Sequence, residues 1–274
     1  QSAERWFMKA MKAYQSGDLI IEEAADIVIK TMWSSNEYLN DFQKYFDEEL
    51  LAGNPFVEDL RNDPNSMDSL RELFEMCRES GTTAALLLFK YISLLLNAEL
   101  NQSISQSGTT GPFAHYDHLR PAFRQPSEVD LKEAALLRKI FTQANPNMQD
   151  FLTDDIYAAM KYTLLFNCYG FSLEDPSTSA SASDEKQSKE FIRNVVKISD
   201  AKVIGLFHIA SHIEHSSNPN CSVAYNDGSI KIYAQREIQE SDSITVSYIP
   251  NIHTLEKDVC QVKLLAQFGI IEDQ

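Results

Sequence analysis

Residues 205–222 read Gly205-Leu206-Phe207-His208-Ile209-Ala210-Ser211-His212-Ile213-Glu214-His215-Ser216-Ser217-Asn218-Pro219-Asn220-Cys221-Ser222. His208 and His212 are spaced to share one helical face, and with Glu214-His215 they invite a metal reading. Pro219, between Asn218 and Asn220, ends any such helix soon afterwards, so Asn-Pro-Asn is a structural turn. Cys221 reads as a small buried residue. Just downstream, two short apolar segments (222–225 and 230–233) flank Asn226-Asp227-Gly228, a strong hairpin signal. Ile244-Thr245-Val246-Ser247-Tyr248-Ile249 then alternates as a strand and stops at Pro250. Weak helical periodicity returns over residues 255–268.

Working back toward the start, residues 5–30 read as strands around a turn. Leu19-Ile20-Ile21 precedes Glu22-Glu23, Ile27-Val28-Ile29 follows, and Gly17-Asp18 punctuates them. Between the two strand regions the pattern is helical. Residues 36–51 carry Tyr38, Leu39, Phe42, Tyr45 and Phe46 at helical spacing, with Asp41 to Glu49 as a solvated acidic face. Residues 68–78 repeat the pattern with Leu70, Leu73, Phe74 and Cys77, and residues 82–100 are apolar on most faces, which predicts a buried helix. Residues 103–111 are a polar loop. Ser127 caps a helix with Asp130 in its first turn, and Thr153 opens another through Ile156, Met160 and Leu164. Residues 172–189 are low in complexity and are expected to form a mobile surface loop. Short strands at both chain ends with helices between them predict an α+β domain closed by its two termini, and disfavour a parallel βαβ sheet.

Composition removes several function classes. The 274 residues hold 24 Lys plus Arg against 40 Asp plus Glu, a net charge of −16. That balance argues against direct nucleic-acid binding and favours a basic, Lys-rich protein partner. No GxGxxG or GxxxxGK[ST] stretch occurs, so dinucleotide and P-loop fingerprints are absent. Cys77, Cys168, Cys221 and Cys260 are scattered, which excludes a zinc finger by spacing and fits a reducing compartment. The longest apolar stretch, residues 84–96, is interrupted by Lys90, Tyr91 and Ser93 and is too short for a membrane span. Gln1 onward lacks a signal-peptide pattern. The expectation is cytoplasmic or nuclear residence without a membrane.

The 205–222 stretch resembles the SET domain of protein-lysine methyltransferases, and its closest branch looks like the SET-and-MYND (SMYD) proteins, whose pattern is roughly GLYPxxSxxNHSCxPNCS. Residues 230–238 and 244–249 are similar to the family's following strands, and Gln267-Phe268-Gly269-Ile270 to its closing element. Residues 155–171 resemble the helix and "NxF" segment before the motif. The resemblance implies S-adenosylmethionine-dependent methyl transfer to a lysine amine through a narrow tunnel that aligns the reactants and excludes water. It places Tyr248 on the catalytic tyrosine, His215, Asn167 and Tyr116 on the cofactor side, and Tyr169 and Ile270 in the tunnel wall. It also implies a division into N-terminal SET strands (1–33), a helical insertion (34–150), a core SET region (151–250) and a C-terminal post-SET-like helical segment (251–274).

The departures from the family pattern are equally informative. Glu214 stands where the family has an asparagine amide that contacts the cofactor, and a carboxylate cannot donate as an amide does. It could pair instead with the ligand's ammonium or sulfonium. Arg5-Trp6-Phe7 occupies the place of the family's GxG, whose glycines admit the cofactor to the backbone. Ser217 replaces a zinc-binding cysteine, the closing cysteines are missing too, and residues 30–76 contain no cysteine for a MYND module. No metal is therefore expected, and the rival to the enzyme is an inactive SET-fold binding or scaffold protein with a degenerate cofactor site. Elemental analysis should find no stoichiometric zinc in the purified chain; about one zinc per chain would restore the metal reading of His208, His212 and His215.

Overall fold

The structure is a computed structural model that describes residues 8–51, 54–102, 119–122, 124–172, 201–249 and 255–268. Arg5-Trp6-Phe7, Tyr116, Ile270, the polar stretch at 103–111 and the low-complexity segment from residue 173 lie outside the described residues. The chain divides into two compact units, Gln1–Val28 with Cys168–Gln274, and Ile29–Asn167.

The first unit carries the strands β1 (Leu19–Ala24), β2 (Ile27–Lys30, which runs past the unit boundary), β3 (Tyr169–Phe171) and β4 (Val203–Leu206). They are followed by β5 (Glu214–His215), β6 (Cys221–Asn226), β7 (Ser229–Ala234) and β8 (Thr245–Val246). The hairpin β6–β7 turns through Asp227 at φ 39° and Gly228 at φ 83°. Two left-handed residues give the turn whose twist suits antiparallel strands. β1 pairs antiparallel with the other side of β7, setting Glu23 opposite Ile230, so the sheet order is β1-β7-β6. Isolated bridges from Lys9 to Ser243 and from Tyr14 to Ile238 extend this union of chain start and chain end. A second sheet has the order β2-β4-β3. The expected α+β architecture, closed by strands from both ends, is what the chain forms.

The strand expected over residues 244–249 is shorter than its alternation suggests. Only Thr245 and Val246 pair, in parallel with Glu214 and His215. Beyond them the Ser247 hydroxyl donates to the Ile249 carbonyl at 2.8 Å and turns the chain out of the ladder. Behind the sheets lies an aromatic core, in which Phe171 stacks on Tyr225 at 4.7 Å and meets Phe207 edge-on. Gly205 is required there, because a Cβ at its position would sit 2.7 Å from the buried Phe207 ring.

The second unit is helical: α1 (Asn36–Asn40), α2 (Phe42–Tyr45), a π-helical turn (Phe46–Leu51), α3 (Pro55–Arg61), α4 (Pro64–Ser80), α5 (Ala84–Gln102), α6 (Glu128–Ala144), α7 (Met148–Phe151) and α8 (Asp154–Asn167). The continuous helix expected over residues 36–51 is broken at Asp41, whose side chain accepts from the Lys44 N–H at 3.0 Å and starts α2 afresh. Local side-chain bonding competes with the helical ladder in this way. Glu49 also departs from the expected solvated face. It is buried, and accepts from the Lys30 N–H at 2.9 Å and the Tyr38 hydroxyl at 3.0 Å. A further helix, α9 (Lys257–Phe268), belongs to the first unit and packs Cys260 and Leu264 against Ile249. Among the described residues, no helix is long and apolar enough to cross a membrane.

Ser127 does cap α6, in a reciprocal box with Asp130. Asp130 does more than complement the helix dipole. It is buried, and takes the Lys161 ammonium at 2.7 Å and the Tyr162 hydroxyl at 2.9 Å. Glu133, also buried, takes the same ammonium at 2.5 Å and the Tyr157 hydroxyl at 2.6 Å. This cluster ties α6 to α8 through charges that are all buried.

Burial alone would raise the Asp130 carboxyl, but hydrogen bonds from Lys161 and Ser127 outweigh it and hold the group down at about 2. Desolvation likewise opposes charge on Lys161, yet Glu133 and Asp130 outweigh it and raise the amine above 10.5. The ionised aspartate therefore contributes stability above pH 3.8 that is lost as pH falls toward 2, and the ammonium contributes stability that is lost as pH rises past 10.5. Urea midpoints measured against pH should decline at both ends. Lys161→Met should cost about 3–5 kcal/mol at neutral pH, because it strands two buried carboxylates. An unchanged midpoint in that variant would show the cluster to be energetically idle.

Candidate active site

The parallel contact of β5 with β8 brings the 205–222 stretch against the segment that ends in Tyr248. Ser216 N–H donates to the Val246 carbonyl at 3.0 Å and carries the pairing one step further. Tyr248 is then held at both ends. Its backbone N–H donates to His215 Nδ1 at 2.9 Å, and its hydroxyl donates to the Ile213 carbonyl. The two rings lie 5.3 Å apart. An Nδ1 that accepts from an N–H leaves the imidazole neutral with its proton on Nε2. Tyr248, His215 and Glu214 are half-buried, so the cluster is sheltered while the phenol stays at the edge of the core.

Tyr169 joins the same segment from β3. Its ring is buried, and its hydroxyl donates to the Ala210 carbonyl at 2.8 Å. Two tyrosine hydroxyls thus end on carbonyls three residues apart along one turn. That turn is a short 3₁₀ helix, Ala210–His212, and not the α-helical face a metal pair would need. The His208 and His212 rings meet edge-on at 5.6 Å. Among the described residues, no cluster of three His, Cys, Asp or Glu could hold a metal ion.

Asn167 belongs to the helical unit. Its amide donates to the carbonyls of Arg120 at 2.9 Å and Thr163 at 2.7 Å, and accepts from the Arg120 N–H at 3.1 Å. Both ends of that side chain are engaged by backbone. Tyr116 and Ile270 are outside the described residues.

Two residues central to this geometry were not singled out from the sequence. Asn220, the last of the Asn-Pro-Asn turn, is buried and donates from Nδ2 to the Ser243 carbonyl at 2.8 Å. Its Oδ1 accepts from the Thr245 N–H at 2.9 Å, so one amide stitches the turn to β8. The other residue is Glu23 of β1, whose carboxylate accepts from the N–H groups of Ile209 at 2.7 Å and Ala210 at 2.9 Å. Burial raises the Glu23 carboxyl above its ordinary range, although those N–H groups pull the other way. Strand alternation carried the signal for it, since Glu23 shares the less exposed face of β1 with Ile21. Cys221 is buried, and burial pushes its thiol up to about 11, which leaves it packed and unreactive.

A tyrosine pinned between a histidine ring and a backbone carbonyl is held within a fold closed by both chain ends. The SET domain matches residues 5–249, and the chain belongs to that family. Among characterised relatives, the histone-lysine N-methyltransferase SET5 of Eremothecium gossypii is 32% identical over 69 residues, 25% of this chain and 14% of that protein. The histone-lysine N-methyltransferase SMYD3 of Mus musculus is 33% identical over 54 residues, 20% of this chain and 13% of that protein. The matched regions thus span about a seventh of either relative's length.

The family implies S-adenosylmethionine as co-substrate. The groups gathered here suit it in charge: the Tyr248 phenol and the Ile213 carbonyl are oxygen acceptors, which favour a cationic sulfonium and ammonium. Glu214 does not supply the amide donor it replaces.

Asn220→Asp should test the stitch. The substituted carboxylate would face the Ser243 carbonyl acceptor to acceptor and lose the donor, which costs about 1–3 kcal/mol. Urea unfolding should record the drop; a midpoint equal to wild type would mean the amide is dispensable.

Proposed function

We propose that this chain is a protein-lysine methyltransferase of the SET class, close to the SMYD branch, which methylates a lysine in a basic protein segment. The observation that carries the reading is the fixation of Tyr248 at both ends, by His215 and by Ile213. S-adenosylmethionine, when bound, supplies a methyl group on a positively charged sulfur that leaves as a neutral thioether. The chain's part is to hold a neutral lysine amine in line with that methyl and to keep water away.

Tyr248 does this with an oxygen whose position is set before any ligand arrives. With its proton committed to Ile213, the phenol has lone pairs left to accept from the incoming amine. His215 fixes the tyrosine backbone and contributes no charge. Glu214 offers a carboxylate to the co-substrate's ammonium, and Tyr169 supports the wall from the far side of the turn. Asn167, Tyr116 and Ile270 complete the proposed set on the strength of the family pattern. The net charge of −16 favours a Lys-rich acceptor, consistent with the histone activity named for both relatives. Cytosol or nucleus is the compartment this implies.

One observation favours a second reading. Glu214 in place of the family's amide removes a donor from the co-substrate contacts, which suits a SET-fold binding protein that no longer transfers methyl groups.

Calorimetric titration with S-adenosylmethionine separates the two. The enzyme should bind it at micromolar to low-millimolar concentration, and Tyr248→Phe should leave that affinity within about twofold while turnover on a core-histone mixture falls by about a hundredfold. Glu214→Asn, which removes the charged acceptor facing the co-substrate's ammonium, should weaken binding by about 1.5–3 kcal/mol, the worth of a hydrogen bond to a charged group. A folded wild-type chain that binds no S-adenosylmethionine at millimolar concentration rules out the enzyme.

A further inference from the structure

We propose that Glu23 is a positioning residue for the transfer, a carboxylate clamp that fixes the 208–215 turn and through it both Tyr248 and Tyr169; this rests on the methyltransferase reading. The Glu23 carboxylate accepts from two consecutive backbone N–H groups, Ile209 at 2.7 Å and Ala210 at 2.9 Å. Paired acceptors on neighbouring donors restrain the rotation of the turn as well as its distance from the sheet.

What the turn presents on its other side gives the clamp its consequence. The Ala210 carbonyl accepts from Tyr169, and the Ile213 carbonyl accepts from Tyr248. The residues that follow are Glu214 and His215, which pair with β8. A shift of the turn would therefore move both phenols and the histidine that holds the Tyr248 backbone. Glu23 is itself immobilised, because β1 is locked in register on β7 with Glu23 opposite Ile230. A continuous path runs from that ladder through one carboxylate to the turn, and from its Ile213 carbonyl to the Tyr248 oxygen.

The chemistry of the clamp asks specifically for a carboxylate. Both groups it holds within hydrogen-bond distance are donors, so an amide side chain satisfies one and turns its own NH₂ against the other. The neighbouring Glu22 is exposed and pairs with Lys231 at 3.2 Å, so it serves as a control of the same charge on the other face of β1.

The test uses the full chain with Glu23→Gln, Glu23→Asp and Glu22→Gln. In Glu23→Gln, the amides of Ile209 and Ala210 should exchange with deuterium about tenfold faster, as expected for the loss of one hydrogen bond. The ¹³Cζ resonances of Tyr248 and Tyr169 should move. With core histones as methyl acceptor, kcat should fall about ten- to a hundredfold while KM for S-adenosylmethionine stays within about twofold. Glu23→Asp should recover part of each effect, and Glu22→Gln should produce none. Wild-type resonances and kcat in Glu23→Gln, or equal effects from Glu22→Gln, would overturn the proposal. Should Glu23→Gln not fold, Glu23→Asp is judged by the same readouts. A wild-type chain without transfer sinks the methyltransferase reading, and the amide and ¹³Cζ measurements, which need no co-substrate, then decide the clamp alone.

Discussion

The β1-β7-β6 sheet and the turn it braces depend on one pairing, that of β1 with β7. β7 is an inner strand only because β1 covers the edge that the hairpin leaves open. An exposed edge is a template for association, and covering it with a strand from the same chain removes that hazard. The pairing also brings Glu23 to the 208–215 turn, since the register on Ile230 decides which β1 side chain arrives there. A slip of one residue would reverse the faces of the strand and present Glu22 or Ala24 instead.

What could be read from the sequence was mostly local. Asn226-Asp227-Gly228 announces its hairpin because the turn chemistry sits in the turn itself, and Ser127 with Asp130 announces a helix start for the same reason. The helices of residues 64–102 follow from apolar spacing, and their starts were legible only loosely: α4 begins at Pro64, four residues before its apolar pattern does. The break at Asp41 was missed because an aspartate inside a helical pattern either ends the helix or points to solvent, and the choice is made by packing. Glu49 and Lys161 were illegible as buried charges for a plainer reason. Each is held by partners that only the fold brings near: Tyr38 and Lys30 for the one, Asp130 and Glu133 for the other.

The candidate site divides in the same way. Tyr248, His215, Glu214 and Tyr169 could be named because they lie in segments that resemble the SET pattern, and the structure brings those segments together at one turn. The groups that hold that turn were harder to see. Asn220 was legible as part of a turn and not as the amide that binds β8. Glu23 lies nearly two hundred residues from the N–H groups that donate to it, and nothing local distinguishes it from Glu22 except strand parity. The family pattern thus points to the candidate groups, while the fold identifies what keeps them still.

The union of the two chain ends has a consequence during synthesis. β1 leaves the ribosome before its partner β7, which follows roughly two hundred residues later. At ordinary elongation speeds of about 5–20 residues per second, the first strand waits on the order of 10–40 s for its mate. The helical unit, whose contacts are largely its own, can form within that interval. Until β7 emerges, Leu19, Ile20 and Ile21 remain an unpaired apolar strand, the kind of segment to which a holding chaperone binds. The nascent chain would therefore depend on such protection until residues 229–234 have emerged.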